Sequence, residues 1–245
     1  MTRKKAVLNR AVFTRRAFDS RALTVLATLI HHFQEVGDCD LFVQRGGQVV
    51  FRTHVHVVAE DAPRQIDVDL AALPQAETGC GCEGAAGYTL AAGGVMTFHA
   101  AEGIGQYVVK ITRRSGREKH VVLDSSEVIP AGDLFAVTLV RPGTYEVRGP
   151  RSSGRIHVSL PKKDEGYRPD QPVLVELTKR GTFKPRAVRI LAGQTVVFLC
   201  TIPAQISVEM ARPDKSTEKP TDRPRRYTLR RPSARKSGTD EQAGQ

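Results

Sequence analysis

GVMTFHA (94–100), GQYVVKIT (105–112), EKHVVLD (118–124), SEVIPAG (126–132) and DLFAVTLVRPGTYEV (133–147) follow one another almost without a break. Each run is short, rich in Val, Ile, Phe, Tyr and Thr, and closed by Gly, Pro or a charged turn. That is the composition of β-strands joined by tight connections. The stretch predicts a β-rich body, and the rest of the chain either extends that body or hangs from it.

Upstream, the side-chain period is two from Asp40 onward. Leu41-Phe42-Val43 and residues 49–58 read as strands joined at Gly46-Gly47, a hairpin turn signal. Alternation puts Val49, Phe51, Val55 and Val57 on one face of the second strand and Arg52, His54 and His56 on the other. Residues 66–70 (IDVDL) alternate cleanly as a further strand. Residues 74–87 turn small and polar and read as a loop that holds Cys80 and Cys82.

Downstream, residues 154–160, 173–177, 187–190, 195–200 and 206–210 carry strand patterns, and 161–172 (PKKDEGYRPDQP) reads as a connection. A turn-then-strand form recurs at Gly46-Gly47 to Phe51, Gly93-Gly94 to Phe98 and Gly193 to Phe198, with Gly143 to Val147 near the missing slot, as repeated hairpin units would produce.

The 245 residues suffice for one large β domain or two small ones. With 6% aromatic residues and no Trp, the core must be mostly Val, Leu, Ile and Ala. The net charge of +11 is unevenly placed: residues 1–21 hold seven Lys/Arg against Asp19, and residues 212–245 hold ten against five acids. The body between them keeps twenty basic and twenty acidic residues of the 37 and 26 in the chain, so all surplus positive charge lies on the two ends. Basic arms of this kind bind nucleic acid or an anionic membrane surface through counterion release. After Arg212 apolar periodicity ceases, which predicts a disordered tail.

Two readings compete for the first 38 residues. Phe18, Ala22, Val25, Leu26, Leu29 and Phe33 fall at helical spacing and predict an amphipathic helix from Phe18 to Val36, ended by Gly37. Alternatively, Thr14-Arg15-Arg16-Ala17-Phe18 followed by the weakly apolar 22–30 resembles a twin-arginine export signal, which implies a periplasmic or exported protein. Without such a signal a cytoplasmic location is expected. The apolar run is too short for a transmembrane helix, which takes about 20 residues.

Residues 183–198 (FKPRAVRILAGQTVVF) resemble the opening strands of a cupredoxin, and residues 133–147, ending in Pro142-Gly143-Thr144-Tyr145, resemble a later cupredoxin strand. The resemblance covers about thirty residues, in the reverse order for a single domain, so it implies two such units or an incomplete one. It implies an all-β, antiparallel β-sandwich of cupredoxin or immunoglobulin type. Neither Cys nor His-x-x-x-x-Met follows Tyr145, so a blue-copper centre is not expected. The organisation expected is thus a basic arm with a helix or export signal (1–38), a main sandwich (39–161), further strands or a second cupredoxin-like unit (172–212) and a basic disordered tail (213–245).

His54-Val55-His56 places two imidazoles about 7 Å apart along one strand face, and Cys80-Gly81-Cys82 places two thiols on a loop. Folded together, these four would make a His2Cys2 site for copper or zinc. In an exported protein Cys39 and Cys200 could instead pair with Cys80 or Cys82. No serine elbow, Cys–His pair, paired carboxylates or phosphate-cradling Gly loop is present, so a catalytic site is not expected.

The function expected is therefore non-enzymatic and cofactor-free: a structural or accessory subunit of a larger assembly. It would hold protein partners, or further copies of itself, through Arg3, Lys4, Lys5, Arg15 and Arg16 at one end and Arg225, Arg226, Arg230 and Arg231 at the other. The alternatives are an exported metal-binding protein and a nucleic-acid-binding protein of capsid type.

Overall fold

A computed structural model describes residues 10–74, 87–116, 118–161 and 171–214. One short helix, α1 (Arg10–Thr14), is followed by seventeen strands. In chain order these are β1 (Ala17–Asp19), β2 (Ala27–Phe33), β3 (Gly37–Arg45), β4 (Gln48–Val58), β5 (Gln65–Asp69) and β6 (Tyr88–Ala91). Then come β7 (Gly94–His99), β8 (Tyr107–Ser115), β9 (Glu118–Asp124), β10 (Leu134–Thr138), β11 (Gly143–Arg148) and β12 (Ser153–Ser159). The last five are β13 (Val173–Leu177), β14 (Phe183–Lys184), β15 (Ala187–Leu191), β16 (Thr195–Cys200) and β17 (Ser207–Pro213).

They form three sheets, ordered β1-β17-β11-β12-β15, β14-β13-β16-β10-β2-β7-β5 and β6-β4-β3-β8-β9. The all-β class is as expected. A plain antiparallel two-sheet sandwich is not what the strands build. The chain changes sheet after almost every strand or hairpin and so takes a winding, solenoid-like path. Four strand pairs are parallel, β12 with β15, β13 with β16, β4 with β6 and β5 with β7, because the chain leaves the sheet between the two partners.

The helix expected over Phe18 to Val36 is absent. Those residues hold β1 and β2 instead, and the described helix is only five residues long. Leu29 and Phe33 stand four apart, a spacing that suits a helical stripe and an alternating strand equally. Ala27, Leu29, His31 and Phe33 are buried while Thr28, Ile30 and His32 are less so, which is a strand pattern. β-Branched Thr28 and Ile30, flanked by β7 and β10, favour the extended backbone.

The Gly46-Gly47 hairpin forms as expected, with both glycines at positive φ (60° and 80°). One face assignment changes. A bulge between Val43 and Gln44 sets Val43 opposite Phe51 but Gln44 opposite Val49, so Val49 slips off the buried face and is 49% exposed. Thr53 takes the inward position between Phe51 and Val55. Each of the echoed turn-then-strand units is present and buries its Phe, but the resulting strands β4, β7 and β16 serve two different sheets.

The buried side chains make one continuous core through all three sheets. Phe135 stacks on Phe198 at 6.3 Å, and Phe183 meets Phe198 edge-on at 6.0 Å. Between the first sheet and the seven-stranded sheet the approach is close: a Cβ added at Gly149 would stand 2.8 Å from the Phe183 ring. A buried carboxylate, Asp133, accepts from His31 Nδ1 at 2.7 Å and the His32 amide at 3.1 Å, tying β2 to the start of β10.

The N-terminal part of the described chain is bound to the C-terminal strand. Phe18 lies opposite Val208, and Ser20 and Ile206 exchange two hydrogen bonds. Leu23 in turn exchanges two backbone bonds with Tyr107 at the start of β8. No helix among the described residues is long and apolar enough to cross a membrane.

Candidate functional site

Two open sheet faces carry the chemistry-bearing side chains. The first is the outer face of β6-β4-β3-β8-β9. Alternation along β4 turns Arg52, His54 and His56 outward, and the antiparallel register sets Asp40 opposite His54 and Asp38 opposite His56. His54 Nδ1 lies 2.8 Å from Asp40 Oδ1, and His56 Nδ1 lies 2.5 Å from Asp38 Oδ1. Asp40 is the hub of this face. Arg114 donates to both of its oxygens at 2.8 and 3.2 Å, and Lys119 Nζ reaches Oδ2 at 3.2 Å.

The Asp40 carboxylate is fully covered by these partners. Burial by itself would raise its pKa, but the hydrogen bonds and charges of Arg114 and Lys119 outweigh that and hold it down at about 2. Nearby, Arg52 stacks over Phe42 at 5.3 Å and Lys110 pairs with Asp124 at 2.8 Å. Among the described residues no three metal-ligating side chains converge. His54 and His56 thus sit on one face as expected, while Cys80 and Cys82 lie outside the described residues. Cys39 and Cys200 are buried free thiols, and burial pushes Cys200 up to about 12.

The second face belongs to β1-β17-β11-β12-β15 and holds a broad open groove of about 1460 Å³. Alternation along β12 points Arg155 and His157 out while Ile156 and Val158 go into the core. Parallel pairing puts Arg189 of β15 opposite His157. Arg186 enters from the preceding turn, donating from Nε to the Ser153 carbonyl at 3.2 Å, and Arg212 enters from the end of β17. Four arginines, Arg155, Arg186, Arg189 and Arg212, therefore face one carboxylate, Glu146. That carboxylate already pairs with Arg148 at 2.9 Å. None of the four arginines has an ion-pair partner among the described residues.

Of the expected partner-binding residues, Arg15 and Arg16 lie beside this same sheet. Arg15 donates to the Ile104 carbonyl at 2.9 Å, and the Arg16 carbonyl accepts from the Met210 amide at 2.8 Å. Arg3, Lys4, Lys5, Arg225, Arg226, Arg230 and Arg231 fall outside the described residues. Because β1 pairs with β17, Ala17–Asp19 near the close of the N-terminal basic segment and Ser207–Pro213 at the opening of the C-terminal one belong to the sheet that carries the groove.

Sequence reasoning did not single out Arg155, Arg186, Arg189 and Arg212 as a group, since the body was neutral in sum. The available signal was alternation: Arg155-x-His157 puts two polar residues on one strand face, and Arg189 falls on the face of its strand opposite to Val188 and Ile190. Nothing in the sequence pairs those two strands, and the same holds for Asp38 with His56 and Asp40 with His54. Comparison with known proteins finds no matching family model, and no significant match among curated proteins or solved structures.

Proposed function

We propose that this protein is a non-enzymatic structural or accessory subunit, and that it holds a polyanionic partner, nucleic acid first among them, across the open face of β1-β17-β11-β12-β15. The observation that carries the reading is the gathering of Arg155, Arg186, Arg189 and Arg212 in one groove, on the sheet that holds β1 and β17, the first and last strands of the described chain. A charge surplus that looked confined to the two ends thereby acquires a folded platform between them.

The side chains lining the groove include no exposed Phe, Tyr or Trp on which a base could stack; Tyr145 is buried and His157 is the one exposed ring. Binding would therefore rest on phosphate contacts and counterion release, indifferent to sequence and steeply dependent on salt. The layered reading of the architecture belongs with this proposal. A sandwich of this sheet on part of the seven-stranded sheet, with cupredoxin-like strands at 133–147 and 183–198, would supply a rigid back to the groove. Its support is the close packing of Gly149 and Gly154 on Phe183.

A salt titration of binding to mixed-sequence oligonucleotides tests the function. The full chain should show a steep fall of log K with log salt. Arg155→Ala with Arg189→Ala should flatten that slope by about 1–2, at roughly 0.7–0.9 per phosphate contact. A folded protein that binds no oligonucleotide at low salt, or a double variant with an unaltered slope, refutes the assignment.

A further inference from the structure

The other polar face, on the sheet β6-β4-β3-β8-β9, has a chemistry of its own that the groove does not explain. His54 and His56 stand two residues apart on the outer side of β4, their side chains 63% and 58% exposed. Each ring nitrogen Nδ1 meets a carboxylate oxygen, of Asp40 and Asp38 respectively. An ionised carboxylate can only accept, so in each neutral imidazole Nδ1 carries the proton and Nε2 carries the lone pair. Two lone pairs of defined tautomer are thus presented from one strand face, each ring held from behind by an acid. Metal-binding histidines are held in the same way: the ring nitrogen away from the ion donates to a carboxylate, which fixes the ring and raises its basicity.

On the flanking strand side the neighbour of His54 is Gly87, which contributes no side chain and packs its backbone closely on β4, an added Cβ standing 3.2 Å from the His54 carbonyl. Thr89 lies opposite His56 in the parallel register. Arg114 and Lys119 are engaged on Asp40 and Arg52 is laid over Phe42, so Asp38 and Asp40 together offset all but one of these three positive charges.

We propose that His54 and His56 form a surface chelate for a divalent transition-metal ion, oriented by Asp40 and Asp38, with the remaining coordination positions left to water or to a donor from a bound partner. Imidazole ligation places Cu2+ ahead of Zn2+ and Ni2+ in affinity. The site is independent of the polyanion face, so either assignment can fail without the other.

Cu2+ added to the full chain, followed by electron paramagnetic resonance and competitive titration, reads the site directly. The expected result is one ion bound through two imidazole nitrogens. His54→Ala and His56→Ala should each weaken binding at least about tenfold and remove one nitrogen from the spectrum. Asp38→Asn should weaken it by about tenfold or more while keeping both nitrogens, an outcome that separates a positioning acid from a ligand. Cys80→Ser with Cys82→Ser should leave the two-nitrogen spectrum in place. A parent protein that takes up no copper, a doubly His-substituted protein that binds as the parent does, or loss of the signal in the cysteine variant overturns the proposal.

Discussion

Tyr145 shows how one residue reports on the packing around it. It begins as part of a Pro-Gly-x-Tyr turn, becomes the largest of the fully buried side chains, and donates its hydroxyl to the Arg141 carbonyl at 3.0 Å. Burial pushes the phenol up to about 12, with Arg141 and Arg16 pulling weakly the other way. The folded value lies above the unfolded one, so the stabilisation is complete below about pH 10 and is lost as pH rises toward about 12. A spectrophotometric titration of the five tyrosines should show Tyr145 ionising last, together with alkaline unfolding, while burial also delays Tyr88. Tyr145→Phe should remove that late step and lower stability by about 1 kcal/mol, the net worth of one hydrogen bond.

At the scale of elements, the pairing of β11 with β17 decides whether Arg212 reaches the groove. Gly143 opens β11 at φ +149°, and an added Cβ would stand 2.5 Å from the Arg212 carbonyl. Glycine is needed there for both the backbone angle and the close approach. Gly143→Ala should cost about 2–3 kcal/mol in urea denaturation. Gly46→Ala, at a positive φ but with nothing within 4 Å, should cost only about 1 kcal/mol. The same level explains the misread N-terminal segment. Leu29 and Phe33 could serve a helix or a strand, and the partners waiting on either side, β7 and β10, selected the strand.

For the whole molecule, the seven-stranded sheet draws on residues as far apart as Ala27 and Cys200, and one core runs beneath all three sheets. The stapling of Ser20 to Ile206 and of Leu23 to Tyr107 ties early residues to both later parts. Unfolding should therefore be one cooperative transition. The chain has no Trp, so far-UV circular dichroism and tyrosine absorbance are the probes, and their midpoints should coincide. Two separated midpoints would show that the sheets melt independently.

The linear order of residues was enough to establish the all-β class, the Gly46-Gly47 hairpin, the outward set Arg52, His54 and His56, and the segregation of charge to the two ends. All of these are local: a period of two, a turn dipeptide and a count of charges need no knowledge of distant neighbours. The strand partners, the bulge that displaced Val49, the acids behind the two imidazoles and the four-arginine groove were settled only by the tertiary structure. An alternating strand specifies which side chains it buries but not which strand lies beside it. Partners such as β2 and β10, or His157 and Arg189, meet because packing one shared core brings distant segments into register.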